Sequence, residues 1–220
     1  MASVEKYTQN AVYSMLRHNE RTSATHSNPN IHSDKSKLNY RLSDERECTD
    51  YDFFKQQLTH YKCMNRPDII KMASWIVTAP ENLPIEQERE FFECCHAFLK
   101  QRYGTNNELQ CIVHYDEIHT FIDPKTGQIK ESRPHLHYCF IPAITDKKGD
   151  LHICAKKVLT RTDLRNFHTD LQRYLNQNGI QACIYSGITK QNGGNVSVKE
   201  LKSLSNSFER TYTNERGFEF

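Results

Sequence analysis

Two apolar runs constrain this chain more than any other feature: "ELQCIVH" at residues 108–114 and "HLHYCFIP" at residues 135–142. Both read as strands, rich in side chains that suit a pleated surface. Between them, "HTFIDPKTGQIKES" has alternating arms around Pro-Lys-Thr-Gly and reads as a projecting hairpin. Strands joined by such an excursion run antiparallel and lie side by side. Successive side chains on a strand alternate between faces, so His135 and His137 project from one face. His114, at the end of the neighbouring strand, faces them. Three imidazoles then converge at one end of a sheet.

The rest of the chain supplies elements to cover that sheet. After an extended N-terminal segment, Val12, Met15 and Leu16 recur at helical spacing, with His18 close behind. Residues 25–32 break the periodicity and form a loop, residues 37–42 are a candidate strand, and residues 49–61 a short helix. Residues 71–79 form a strand closed by Pro80. The longest helix is expected from Pro84 to Tyr103, with acids in its first turns, an apolar stripe through Phe91, Phe92, Cys95, Phe98 and Leu99, and Gly104 beyond its end. A short strand follows around Leu151 to Cys154, a helix from about Thr162 to Gln177, and a strand over residues 181–186. A last helix opens at the capping box Ser197-x-x-Glu200. Strands and helices mix without strict alternation, and 220 residues suit one core. The expected fold is α+β: a single domain over residues 1–220, with a central, largely antiparallel sheet flanked by helices.

Composition narrows the class. No apolar run approaches the roughly 18 residues that span a bilayer, and "MASVEKYTQN" lacks the apolar core of a signal peptide, so a cytoplasmic protein without membrane contact is expected. The eight cysteines include no Cys-x-x-Cys, mostly sit inside apolar segments and read as buried free thiols. A net charge of +2 does not announce a nucleic-acid binder. Residues 147–173 do carry seven Lys or Arg against three Asp, which makes Lys156 and Lys157 candidates for phosphate contact; a solvated helix face accounts for the excess equally well.

Three neutral imidazoles make an open site suited to Mn, Fe, Ni or Zn, with positions left for water or a substrate oxygen. Glu117, three residues past His114, is close enough to serve as a further ligand, to orient one, or to act as a general base.

The motifs "RHNER", "THSNPNI", "KLNYRL", "SWIVT", "HYDE" and "RPHLHYCFIP" stand in the order and approximate spacing of the Pre/Mob (MobV-class) plasmid mobilisation relaxases. That family lies within the His-hydrophobic-His endonuclease superfamily, and the resemblance covers about residues 10 to 180. It implies a strand-specific nickase that cuts DNA at a transfer origin, in single-stranded or hairpin form, holds the new 5′ phosphate covalently and later reseals the strand. His114, His135 and His137 match the metal-binding histidines, and the implied cofactor is a divalent ion, Mn²⁺ first, with Mg²⁺, Zn²⁺ or Ni²⁺ as alternatives. Glu117 matches the acid of the His-x-Asp-Glu motif, His18 the histidine nucleophile, and Arg21 an arginine that binds phosphate or the cleaved strand. Family members commonly carry further C-terminal regions, so a longer natural chain is expected. One departure stands out: residues 118–133 separate the acid from Pro-His-x-His, where short members have almost nothing. Three rival readings remain: Tyr40 as the nucleophile, a replication initiator of the same superfamily, and a metal-stabilised DNA-binding module without catalysis.

Overall fold

All seven residues of strand β4 (Glu108–His114) are buried, which marks it as an inner strand covered on both faces. In the computed structural model, which describes residues 2–22, 28–122 and 127–184, it belongs to a five-stranded antiparallel sheet. The order is β1 (Ala2–Thr8), β3 (Ile70–Thr78), β7 (His135–Phe140), β4 and β2 (Tyr40–Arg41). Two small hairpins stand outside it: β5–β6 (Thr120–Ile122 and Ile129–Glu131) and β8–β9 (Ala143–Thr145 and Leu151–Ile153). The α+β expectation, the pairing of β4 with β7 and the projecting hairpin are all observed.

Strand parity divides the core in two. One face carries Trp75, Val77, Cys111, Val113, Leu136, Tyr138 and Phe140, packed on α3 (Glu88–Tyr103) and α5 (Arg161–Gln177). Trp75 stacks on Phe167 of α5 with ring centroids 3.5 Å apart; burying each such aromatic stabilises the fold by about 1.5–3 kcal/mol. The opposite face carries Met72, Cys139 and Ile141, covered by Val12 and Leu16 of α1 (Gln9–Glu20) and Phe54 of α2 (Asp50–Leu58). His135 and His137 share the parity of Cys139, so they lie on the α1 face, beyond the end of that helix.

Several expectations need amendment. Of the strand expected over residues 37–42 only Tyr40–Arg41 pairs, because Ser36–Leu38 close a 3₁₀ turn. The helix expected from Pro84 begins at Glu88, after a 3₁₀ turn over Ile85–Gln87, and its 16 residues are exceeded by the 17 of α5. Residues 181–184 form no strand, although Ile180, Ala182 and Ile184 are buried in the alternating manner of one. Side-chain amides take the place of a strand partner: Asn82 bonds the Gln181 carbonyl and the Cys183 N–H, Gln87 accepts from Gln181, and Gln172 bonds Ala182 and Ile184. The proposed helix at Ser197 lies outside the described residues, as does the end of the 181–186 strand. All eight cysteines are free, but only Cys95, Cys111 and Cys139 are buried, and Cys63 and Cys183 are exposed; no described helix is long and apolar enough to cross a membrane.

Candidate active site

His114 pairs directly with His135 across the β4–β7 ladder, and His137 sits two residues further along. Ring centroids are 5.5 Å apart for His114–His135 and 5.0 Å for both His114–His137 and His135–His137. Ligand atoms of His114, Glu117, His135 and His137 all lie within 4.8 Å of one another. Both ring nitrogens of His137 lack a hydrogen-bond partner although the residue is only 6% exposed. An imidazole buried that way is costly unless something accepts its lone pair. A divalent cation does so, and the donor set of three imidazoles and a carboxylate fits one.

His114 is fully buried, and its Nε2 lies 2.8 Å from the Asn19 carbonyl. A carbonyl only accepts, so Nε2 carries the proton and Nδ1 keeps the lone pair, as in many metal sites where an outer acceptor fixes the tautomer. Burial, then the nearby charges of Arg21 and His135, lower its pKa to about 3. Burial is also the leading cause that depresses His135 and His137. All three rings are therefore held neutral, the form a metal requires.

Helix α1 delivers His18 and Arg21 to this end of the sheet. Asn19 anchors it: its side chain donates to Gln110 Oε1 at 2.8 Å, and Gln110 in turn donates to the Leu16 carbonyl at 3.2 Å and to Asp50 at 2.7 Å. Arg21 ends the helix in the left-handed conformation (φ 55°, ψ 28°), the sole non-glycine residue at positive φ among those described. Glycine or asparagine usually fills that position, and another residue there costs about 1–2 kcal/mol. The turn sends the guanidinium inward, where Nε and Nη2 donate to both oxygens of Asp116 at 2.9 Å.

The acidic pair is gripped from both sides. His32 N–H donates to the Asp116 carbonyl at 2.8 Å, and Ile118 N–H to the Asn30 carbonyl at 2.9 Å. At the base of the β5–β6 hairpin, the Ser132 hydroxyl donates to the Glu117 carbonyl at 3.0 Å and accepts from His119 N–H at 2.9 Å. The 118–133 insertion therefore abuts the site through Glu117. Glu117 Oε1 accepts from Asn28 at 2.6 Å, while Oε2 lies 3.8 Å from Nε2 of both His18 and His135. Burial would raise its pKa, but His18, His135 and Arg21 prevail and hold the carboxyl at about 2. It is an anion at neutral pH.

The other sequence candidates lie elsewhere. Tyr40 pairs with Val113, so it has the parity of the α3 face; its ring lies 6.2 Å from Tyr115, under Arg89, and burial pushes its phenol up to about 12. The sheet separates it from the histidines. Lys156 and Lys157 are exposed on the short helix α4 (Ala155–Val158), beside Pro142 and past the Phe140 end of β7. That is the far end of the strand, about 17 Å from His135 at about 3.4 Å per residue. Asp116, Asn19, Asn28 and Ser36 were not singled out from the sequence. Asn19, Asn28 and Asp116 stand inside motifs quoted above without a role assigned to them, and Asp116, two residues past His114, also continues the same parity.

The site and sheet together define a relaxase-type α+β fold. The MobM relaxase domain, solved with Mn and bound to plasmid pMV158 oriT DNA, is similar to this chain at 26% identity with a TM-score of 0.69, over 93% of this chain and 97% of that one. The model of the plasmid recombination enzyme family (Mob_Pre) matches residues 1–203, and the chain belongs to that family. The plasmid recombination enzyme of Streptococcus agalactiae is 29% identical over 189 residues, 82% of this chain and 34% of its own length. That of Lactiplantibacillus plantarum is 27% identical over 224 residues, 97% and 55% respectively. The chain thus spans between a third and about half of these relatives.

Proposed function

We propose that this chain is a metal-dependent DNA relaxase that nicks one strand at a plasmid or mobile-element transfer origin and rejoins it, through a covalent link between His18 and the 5′ phosphate. The observation that carries this reading is the Glu117 carboxylate, whose Oε2 stands 3.8 Å from both His18 and His135 and so joins a free imidazole to a metal-type cluster. His114, His135 and His137 would hold the ion, Mn²⁺ in the first instance. A divalent ion held there would supply Lewis-acid neutralisation of the charge that builds on the scissile phosphate.

His18 is 31% exposed in its side chain, whereas the three ligand candidates are shielded, so it is the imidazole that a DNA strand can reach. The lone pair of Nδ1, the His18 ring nitrogen away from Glu117, attacks phosphorus; the bond from phosphorus to the 3′ oxygen breaks, and that oxygen takes a proton from solvent to become a 3′ hydroxyl. The ring gains positive charge as the bond forms. Glu117, ionised and beside Nε2, stabilises that charge and fixes the ring's orientation. Return of the 3′ hydroxyl reverses the steps and reseals the strand.

The test is incubation of the protein with supercoiled plasmid carrying its transfer origin, with Mn²⁺ and with chelator. Open-circular product bearing attached protein, formed with metal and absent after chelation of a still-folded protein, is expected. A metal-independent nick, cuts in both strands, or unfolding on chelation would contradict the proposal.

A further inference from the structure

Arg21 resembles a phosphate-binding arginine in sequence, yet its side chain is only 7% exposed. Four of its five N–H groups are already committed. Nε and Nη2 fork onto Asp116, Nη1 donates to the His18 carbonyl at 2.6 Å, and Nη2 also reaches Glu117 Oε2 at 3.3 Å and His114 Nδ1 at 3.2 Å. Among these bonds a single N–H, on Nη1, is left over. Asp116 is fully buried and held in turn by the Ser36 hydroxyl at 2.6 Å. The result is a buried bidentate fork, which fixes the plane of the guanidinium.

We infer that Arg21, locked by Asp116, is a positioning residue. It ties the carbonyl of His18 and the Glu117 carboxylate into one frame beside His114, and DNA phosphate is not its partner. Three consequences follow from where its bonds go. The end of α1 is fixed relative to Glu117, so the His18 ring keeps its aim. Glu117 keeps one oxygen between His18 and His135. The guanidinium also competes with a cation for His114 Nδ1, which tempers metal affinity. The left-handed backbone at this position fits the assignment: the chain tolerates an arginine where glycine would be relaxed because the side chain is needed inside.

The inference rests on the function proposed above, and its test separates the two. Arg21→Gly suits the backbone at φ 55° and removes the guanidinium; Arg21→Lys keeps a charge that cannot fork; Asp116→Asn releases the fork. Three readouts apply: Mn²⁺ titration by calorimetry without DNA, the salt dependence of binding to a single-stranded origin oligonucleotide, and nicking rate. Arg21→Gly should bind Mn²⁺ about tenfold more tightly, since a cation leaves the edge of the site and Asp116 stays charged. Its slope of log affinity against log salt should equal that of wild type. Arg21→Lys and Asp116→Asn should each nick at least tenfold more slowly, and Arg21→Gly combined with Asp116→Asn no more slowly than the worse single variant. A slope reduced by about one in Arg21→Gly, with unchanged Mn²⁺ affinity, would overturn the inference and return Arg21 to phosphate binding. Should wild type fail to nick, the function is refuted, while the Mn²⁺ and salt readouts still decide the role of Arg21.

Discussion

Acidification of the metal-free protein should expose how strongly the fold holds His114 neutral. Its pKa falls from 6.5 to about 3 on burial. Below pH 6.5 the unfolded chain takes up a proton at this residue that the folded chain refuses, so stability declines as pH falls and continues to decline down to the folded pKa. Integrated from pH 7.5 to 5.0, that single histidine removes about 2 kcal/mol. His135, His137 and His168, all depressed by burial, act with the same sign. Glu117 and Asp116 do not interfere in this window, because their folded pKa values are depressed and their stabilisation is lost only as pH falls below the unfolded carboxylate range; Glu20, raised by burial, acts with the opposite sign and is common to both proteins compared. The assay is urea unfolding in chelator at both pH values, for wild type and His114→Gln, whose amide can still donate to the Asn19 carbonyl. Groups common to both proteins cancel. Wild type should lose about 2 kcal/mol more than the variant over the interval. Equal losses would show that His114 titrates normally in the folded protein, and the account of a desolvated neutral ligand would fail.

Other perturbations address the remaining roles. Glu117→Gln should bind Mn²⁺ within about threefold of wild type and nick at least about a hundredfold more slowly, the usual range for a lost acid–base or charge-stabilising group; parallel loss of both in a calorimetric and a gel assay would make Glu117 a ligand. His137→Ala should weaken Mn²⁺ by more than the about 10–100-fold that loss of an outer hydrogen-bond partner costs, and a titration indistinguishable from wild type would remove it from the metal site. Charge reversal of Lys156 and Lys157 should flatten the salt dependence of binding to long origin DNA while leaving cleavage of a short single-stranded oligonucleotide intact, because α4 lies at the other end of β7. An unchanged slope would make these lysines an ordinary solvated surface.

Strand parity carried most of what was legible in the sequence. The alternation in "HLHYCF" and the hairpin beyond "ELQCIVH" suffice to bring His114, His135 and His137 to one face, because register between adjacent antiparallel strands leaves little freedom. Parity also disposes of Tyr40, but only once its partner is known: two-residue β2 pairs Tyr40 with Val113, and a slip of one residue would have turned the phenol toward the histidines. The Arg21–Asp116 fork was out of reach, since it joins residues 95 apart in sequence and depends on a left-handed turn that arginine seldom adopts. The missing strand at residues 181–184 has a similar cause. Its alternation is genuine, yet nothing in the local sequence reveals that Asn82, Gln87 and Gln172 will satisfy its backbone. Lys156 and Lys157 belong to a basic segment in sequence, but the β8–β9 hairpin turns that segment away from the histidines.

The most direct test of the account is the identity of the atom that holds the cut strand. A phosphorus–nitrogen bond to imidazole is labile in acid, whereas a tyrosyl phosphodiester survives it. A labelled origin oligonucleotide is cleaved in Mn²⁺, the adduct is denatured and digested, and the labelled peptide is mapped before and after mild acid. The account predicts label on residues 17–21, released by acid and absent in His18→Ala. An acid-stable adduct that forms in His18→Ala and disappears in Tyr40→Phe would contradict it.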